Sequence, residues 1–371
     1  MKLFACPACG ATVHFNNSLC TACGAEIGFA PAPMAMVAPS PDGTVQAHGR
    51  TWTKCTHYLR LMGCNWMVED GAPFCAACRL NRTIPDLSQP DNLRLWQRLE
   101  EEKRRLIYAA LRLGLPVAPQ GSAPEGLAFD FLADQPPSFN ENGRVLTGHA
   151  GGLITLNIAE ADPALRERMR AQMAEPYRTI LGHFRHESGH YYWDRLVRDG
   201  PWLMPFRALF GDERADYATA LATHYSAGPP PDWPMHFVTA YAATHPWEDW
   251  AESWSHYLHM VDTLETAWAF GLHLDADRPG LATEADFDPY VTGDFDALVA
   301  QWLPLTVALN ALNASMGHEA AYPFTLGPAV LEKLRFVHRV VRDTAGAQAP
   351  GEGGRGDGTA SFIESSQKTF I

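Results

Sequence analysis

Beyond Cys78 the chain contains no cysteine; all eight lie within the first 78 of its 371 residues. Cysteines used to fill a core would be scattered, so this confinement reads as metal binding. No apolar run approaches the ~20 residues that a membrane span needs, and no membrane partner is expected. The start, Met1-Lys2-Leu3-Phe4-Ala5-Cys6, has no apolar stretch ahead of a small-residue cleavage site, which argues against a secretory leader. The expected setting is cytoplasmic, where thiols stay reduced. Basic charge is scarce too. Residues 1–120 carry 12 Lys+Arg against 9 Asp+Glu, a net +3, while the remaining 251 carry 17 against 33, a net −16. An acidic body is a poor match for phosphate, so nucleic acid is not an expected partner.

What the chain does have is enough length for two or three units, with 46% hydrophobic residues to build their cores. Cys6-Pro-Ala-Cys9 and Cys20-Thr-Ala-Cys23 are each followed by glycine. Two such knuckles supply four thiolates to one tetrahedral Zn²⁺, and Gly10 and Gly24 permit the tight turn after each pair. A redox dithiol would need only one such pair, near a βαβ pattern. Closed four-thiolate sites are structural. Cys55, Cys64, Cys75 and Cys78 form a looser second set, with His57 able to replace one thiolate; a second structural zinc is expected there. The organisation read from this is a zinc ribbon at 1–28 and a proline- and alanine-rich linker at 29–48. A second four-cysteine module follows at 49–90, then a main body at 91–342 and a disordered glycine-rich tail at 343–371.

The main body is organised around His186-Glu187-Ser188-Gly189-His190. On a helix, positions i and i+4 share a face, so His186 and His190 can bind one Zn²⁺. Glu187 can reach a water on that metal without being a ligand and take its proton. A chance match of two histidines and a glutamate is the plain alternative. It is opposed by helical flanks rich in apolar residues, by Gly189, which leaves room for substrate or a crossing helix, and by a matching carboxylate helix downstream.

The elements around it are predicted as follows. Leu93–Leu115 reads as a helix ended by Gly114 and Pro116. Strands are expected at 127–132, 145–152 and 153–158, with a turn at 140–143. Asp162-Pro163 starts a helix, which Glu175-Pro176 breaks before the His186 helix. Further helices are expected at 206–225, from Pro246, at 296–316 and at 327–342. Helices beside a small sheet make an α+β protein.

Two histidines leave a catalytic ligand set one short, since such sites take three protein ligands and keep one place open. Glu248 and Glu252 are i,i+4 after Pro246, and Ala251 between them lets another helix come close. Glu248 is the preferred third ligand, with Glu252 orienting a ligand histidine from behind. Asp249, Glu213 and Asp216 are the competing candidates, and for each the plain reading is an ordinary surface charge.

His186-Glu-Ser-Gly-His190 followed by Glu248-Asp-Trp-Ala-Glu252 resembles the gluzincin metallopeptidases. More closely, the chain resembles bacterial zinc-binding metallopeptidases with a zinc-ribbon-like N-terminal region. That resemblance covers about residues 1–342. It rests on Cys64-Asn-Trp66, Asn81-Arg-Thr-Ile-Pro-Asp-Leu87, Thr155-Leu-Asn157, Tyr177-Arg-Thr179, the His186 helix and Ala321-Tyr-Pro-Phe324. It implies a mostly helical, zincin-like catalytic domain with a small sheet, preceded by ribbon modules. It implies His186, His190 and Glu248 as ligands, Glu187 as general base and Glu252 behind the ligands. One catalytic and two structural Zn²⁺ follow, with a peptide or protein substrate. A departure from familiar gluzincins is the 57 residues between His190 and Glu248.

Leu153–Ile158 suits an edge strand that would hold a substrate backbone, or else plain sheet core. His256, His259, Tyr191 and Tyr192 are candidates for stabilising an oxyanion. A second class of function competes: a zinc-ribbon adaptor that binds a protein partner and keeps a closed, structural metal site. A third and weaker reading is proteolysis guided to nucleic acid by the ribbons.

Overall fold

The computed structural model describes residues 2–69, 71–123, 125–134, 145, 147–172 and 179–348. The fold is α+β. In the cysteine-bearing region β1 (Phe4–Ala5) pairs with β2 (Thr12–Val13), and β3 (Gly28–Ala30) with β4 (Ala35–Val37). β5 (Thr44–Ala47), β6 (Arg50–Lys54) and β7 (Met67–Glu69) form an antiparallel three-stranded sheet, with α1 (Thr56–Leu61) between β6 and β7.

The stretch 29–48, expected to be a linker, therefore holds three strands. Its proline and alanine content hid a few large side chains that bury: Phe29, Met36 and Val37 are all in the core. The ring of Phe29 lies 5.0 Å from those of Phe15 and Trp66, and both Phe15 and Phe29 meet Tyr108 at 5.2 and 5.9 Å. Tyr108 belongs to α2 (Asn92–Arg112), a helix of the main body. The two cysteine modules are tied together as well, since Asn65 Nδ2 donates to the carbonyl of Phe15 at 2.5 Å. The boundary expected near residue 90 is crossed again by β8 (Asn81–Thr83), which pairs in parallel with a strand of the main sheet.

That sheet has the order β10-β11-β9-β8, with β9 at Ala128–Leu132, β10 at Gly148–Ala150 and β11 at Leu153–Asn157. β11 is parallel to β9 and antiparallel to β10. The 153–158 strand is thus interior to the sheet, whose edges among the described residues are β10 and β8. Phe129 and Phe131 present one face to Phe184, with ring separations of 5.8 and 6.3 Å.

Asp162 caps α3 (Pro163–Gln172), accepting from the backbone N–H of Leu165 at 3.0 Å. The break expected at 175–176 and the turn expected at 140–143 lie outside the described residues, as does the tail from 349 onward. Phe184 sits on α4 (Ile180–Leu196), whose N-cap Thr179 accepts from Gly182 N–H at 2.9 Å. The single helix expected over 206–225 is two: α5 (Leu203–Phe210) and α6 (Tyr217–Ala227). Gly211, at φ 105°, ends the first, and Asp216 caps the second. After the short α7 (Trp233–His236) comes α8 (Pro246–Ala269), started by Pro246 behind the N-cap His245.

β12 (His273–Leu274) and β13 (Thr283–Glu284) form a small hairpin. α9 (Phe295–Ser315) and α10 (Pro328–Gln348) complete the chain, α10 running six residues into the expected tail. By length and composition α9 is apolar enough to cross a membrane, a test that core helices of soluble proteins also pass. Leu298, Trp302 and Leu305 of that helix are buried in the core.

Candidate metal centre

The centre is made where α4 crosses α8. Gly189 is the reason they come so close: a Cβ there would stand 2.9 Å from Ala251 Cα. The crossing is fixed by two indoles of α8, Trp250 Nε1 donating to Gly189 O at 2.8 Å and Trp254 Nε1 to Ser188 Oγ at 3.1 Å. It brings Glu248 Oε2 to 3.1 Å from His186 Nε2 and 3.6 Å from His190 Nε2. Ligands at tetrahedral corners ~2.0–2.2 Å from one zinc ion stand about 3.3–3.5 Å apart. Glu248 Oε2 is buried and has no hydrogen-bond partner among the described residues. An orphaned carboxylate oxygen facing two imidazole nitrogens fits a cation between them.

The surroundings orient the ligands. His186 Nδ1 lies 2.7 Å from Glu252 Oε1, and an ionised carboxylate only accepts, so the proton is on Nδ1 and Nε2 offers its lone pair inward. Glu252 Oε2 in turn accepts from Thr239 Oγ1 at 2.7 Å. Tyr217 Oη donates to the other oxygen of Glu248, Oε1, at 2.7 Å. Burial alone would push the Glu248 carboxyl up, but His186 and His190 outweigh it and hold it well below the usual range. Burial likewise favours neutral His186, yet Glu248 and Glu252 outweigh it and hold its pKa well above the usual value. Glu187 is buried one residue after His186, and its Oε2 has no hydrogen-bond partner among the described residues. Among the described residues only His186, His190 and Glu248 form this metal-type group.

The competing carboxylates are engaged elsewhere. Asp249 points to Lys333, with Oδ2 2.6 Å from Nζ, and burial raises it to about 7 despite that cation. Glu213 is paired with Arg207 and Asp212 with Arg214, at 2.5 and 2.7 Å. Asp216 accepts from Thr219 N–H at the start of α6. The four oxyanion candidates are committed as well. Tyr191 Oη donates to Glu125 O and Tyr192 Oη to Pro116 O, while His256 Nδ1 meets Tyr322 Oη at 2.7 Å. His259 packs its ring against Trp302 and Tyr322.

Residues that the sequence reading did not single out stand there instead. Tyr241 has its ring 6.0 Å from that of His186. His149, on the edge strand β10, is 6.3 Å from the ring of His190, and burial lowers its pKa to about 4. Only the third dimension joins them to the motif; a histidine inside a short strand just ahead of the ligand helix was the one available signal.

Both cysteine sets converge. In the first, Cys6–Cys23 and Cys9–Cys20 sulfurs are 3.9 and 3.8 Å apart, and in the second Cys64–Cys75 are 3.7 Å apart. Four sulfurs ~2.3 Å from one zinc would be about 3.8 Å apart. No disulfide forms among them. The second set is fully buried as Cys55, Cys64, Cys75 and Cys78, and His57 is outside it, its ring packed on Phe74 and Trp96. Burial opposes the charge of Arg104, and the neighbouring thiols and Glu100 sustain it.

Fold and site define a class: zinc-binding proteins of metallopeptidase type that carry a zinc ribbon. The chain belongs to the family described as "putative zinc-binding metallo-peptidase", which matches residues 92–340, and a zinc-ribbon domain matches residues 3–89. It is 43% identical over 352 residues to uncharacterized proteins of Mycobacterium bovis and of two strains of Mycobacterium tuberculosis, covering 93% of this chain and 96% of theirs. No solved structure matches it.

Proposed function

We propose that the protein is a zinc peptidase that hydrolyses peptide bonds, with His186, His190 and Glu248 as ligands and Glu187 as the proton-transferring group. The observation that carries this is the orphaned Glu248 Oε2 facing the Nε2 atoms of both histidines. When bound, zinc would polarise a water and the scissile carbonyl. Glu187 would accept a proton from an attacking water and return it to the leaving amine; its buried Oε2 has no hydrogen-bond partner among the described residues. Glu252 keeps His186 in the tautomer that presents Nε2. Among the described residues no strand pairs with the outer side of β10, whose main-chain groups would take an extended peptide next to His149.

Two further zinc ions, at Cys6/Cys9/Cys20/Cys23 and Cys55/Cys64/Cys75/Cys78, would be structural, and the ribbon could also dock a protein partner. Eight free thiols suit a reducing, cytoplasmic setting. The adaptor reading would need a fourth ligand that closes the site, and none joins the group among the described residues.

The test is Glu187→Gln assayed on a peptide library. It should retain three zinc ions per chain and lose hydrolysis by about 10²–10⁴. Unchanged cleavage in the variant would transfer the proposal to another base, and a wild type that holds zinc but cleaves nothing would move the adaptor ahead.

A further inference from the structure

We propose that Tyr217 is a positioning residue that restricts Glu248 to a single metal-facing oxygen; this rests on the metal-site reading above. A carboxylate can give a metal one oxygen or two. If Glu248 gave both, it would take up the position a water or substrate needs. Here the two oxygens are held apart in role. Oε2 faces the histidines at 3.1 and 3.6 Å, while Oε1 accepts the Tyr217 hydroxyl at 2.7 Å.

The tyrosine is placed with some redundancy. It is the first residue of α6, whose N-cap Asp216 accepts from Thr219 N–H at 2.7 Å. The turn before it is pinned to the head of α8, where His245 Nε2 donates to Ala215 O at 3.0 Å. The Tyr217 ring stands edge-on to His245 at 5.4 Å and to Trp247 at 6.3 Å. None of this comes from packing of α6, which has no buried residue. The helix reaches Glu248 through this side chain, while Ala220, Leu221 and His224 are half-buried and the His224 ring lies 6.0 Å from that of Tyr241.

A hydrogen bond to a buried carboxylate would also serve stability alone, and the two roles separate spectroscopically. In the full-length protein, a chelator empties the histidine site while the thiolate sites keep zinc, which is d¹⁰ and colourless. One equivalent of Co²⁺ then reports the histidine site. Wild type should show intense visible bands of low-coordinate cobalt. Tyr217→Phe keeps the ring and should lose band intensity as Glu248 swings both oxygens to the metal. Peptide hydrolysis should fall about 10–100-fold, in kcat rather than KM. A Tyr217→Phe spectrum superimposable on wild type overturns the inference, even if the variant melts earlier, because the bond is then structural only. The spectrum needs no substrate, so a wild type without peptidase activity does not obscure the answer. Cobalt that binds His190→Ala as it binds wild type would instead overturn the site itself.

Discussion

Gly189 of α4 and Ala251 of α8 are in backbone contact, and this contact sets the distance between the histidines and Glu248. A methyl at Gly189 would meet Ala251 Cα at 2.9 Å and Trp254 Cβ at 3.2 Å, both fixed parts of helices. Gly189→Ala should therefore push α8 outward and cost ~1–3 kcal/mol, the usual result of overpacking. Zinc at the histidine site should weaken with it. Ala251→Gly should not relieve the clash, because the atoms met at residue 251 are its Cα and carbonyl oxygen, which glycine keeps. Urea unfolding and zinc titration of Gly189→Ala check this; unchanged stability and zinc affinity would show that the contact does not set the geometry.

The ribbon should not be separable from the body. Removing residues 1–48 takes away Phe15 and Phe29 and uncovers Trp66 and Tyr108, which are fully buried in the intact chain. It also removes the backbone N–H of Lys2, which donates to the buried Glu265 of α8 at 3.1 Å. The truncated chain should be insoluble or lose its cooperative melt. A soluble fragment that melts cooperatively and keeps zinc at the histidine site would restore the linker reading.

Much of this centre was legible in the sequence because it depends on helical spacing. His186 and His190 share a face by period alone, and Glu248 with Glu252 do the same after a proline that marks a helix start. The thiol sets were legible because their spacing is local. The linker was misread because Phe29 and Val37 lie scattered among small residues, and their burial comes from distant partners, Trp66 and Tyr108 for Phe29 and Trp52 and Met67 for Val37. The role of β10 was missed because strand order in a sheet is a long-range property; a three-residue strand gives little sign that it lies outside β11. Tyr217 was absorbed into an expected helix, and only Gly211 hinted that the chain turns there.

Glu252 binds no metal in this reading but holds His186 at 2.7 Å. Glu252→Ala should lower zinc affinity about 10–100-fold, as loss of a group behind a ligand does. Glu248→Ala should lose this zinc altogether, because two imidazoles remain. Asp249→Asn should leave it bound, since Asp249 faces Lys333. Competition with a chromophoric chelator ranks the three; an Asp249 variant weaker than the Glu248 variant would exchange their roles.

Stability should depend on pH through His256. Burial lowers its pKa to about 4, while Glu252 nearby opposes this only in part. The folded state thus refuses a proton that the unfolded chain accepts at its ordinary value of 6.5. Between those values the unfolded state binds more protons, so stability rises with pH and is lost as pH falls from about 6.5 towards 4. The contribution is roughly 3 kcal/mol across the window. Denaturant melts of wild type and His256→Gln across that range check it. The variant should be less stable at neutral pH but show a flatter slope; equal slopes would remove His256 as the source.

The three metal sites should give up zinc in a fixed order. The histidine centre has three protein ligands, so a chelator should empty it first. In the first thiolate set Cys9 and Cys23 are exposed, so a chelator can reach the metal from outside. In the second all four thiols are buried. A zinc ion with four thiolates carries two negative charges, which burial penalises unless cations stand near. Arg104 of α2 supplies one, donating to Gly63 O of the module. Lys103 lies beside it, fully buried and paired with Glu100 at 2.7 Å. Release should therefore be fast, intermediate and slow, with thiols becoming reactive only in the second and third phases. Arg104→Gln should accelerate the third phase alone. Elemental analysis should first give three zinc ions per chain. A single phase of release, or two ions per chain with four thiols freely titratable, would mean that one thiolate set does not hold metal.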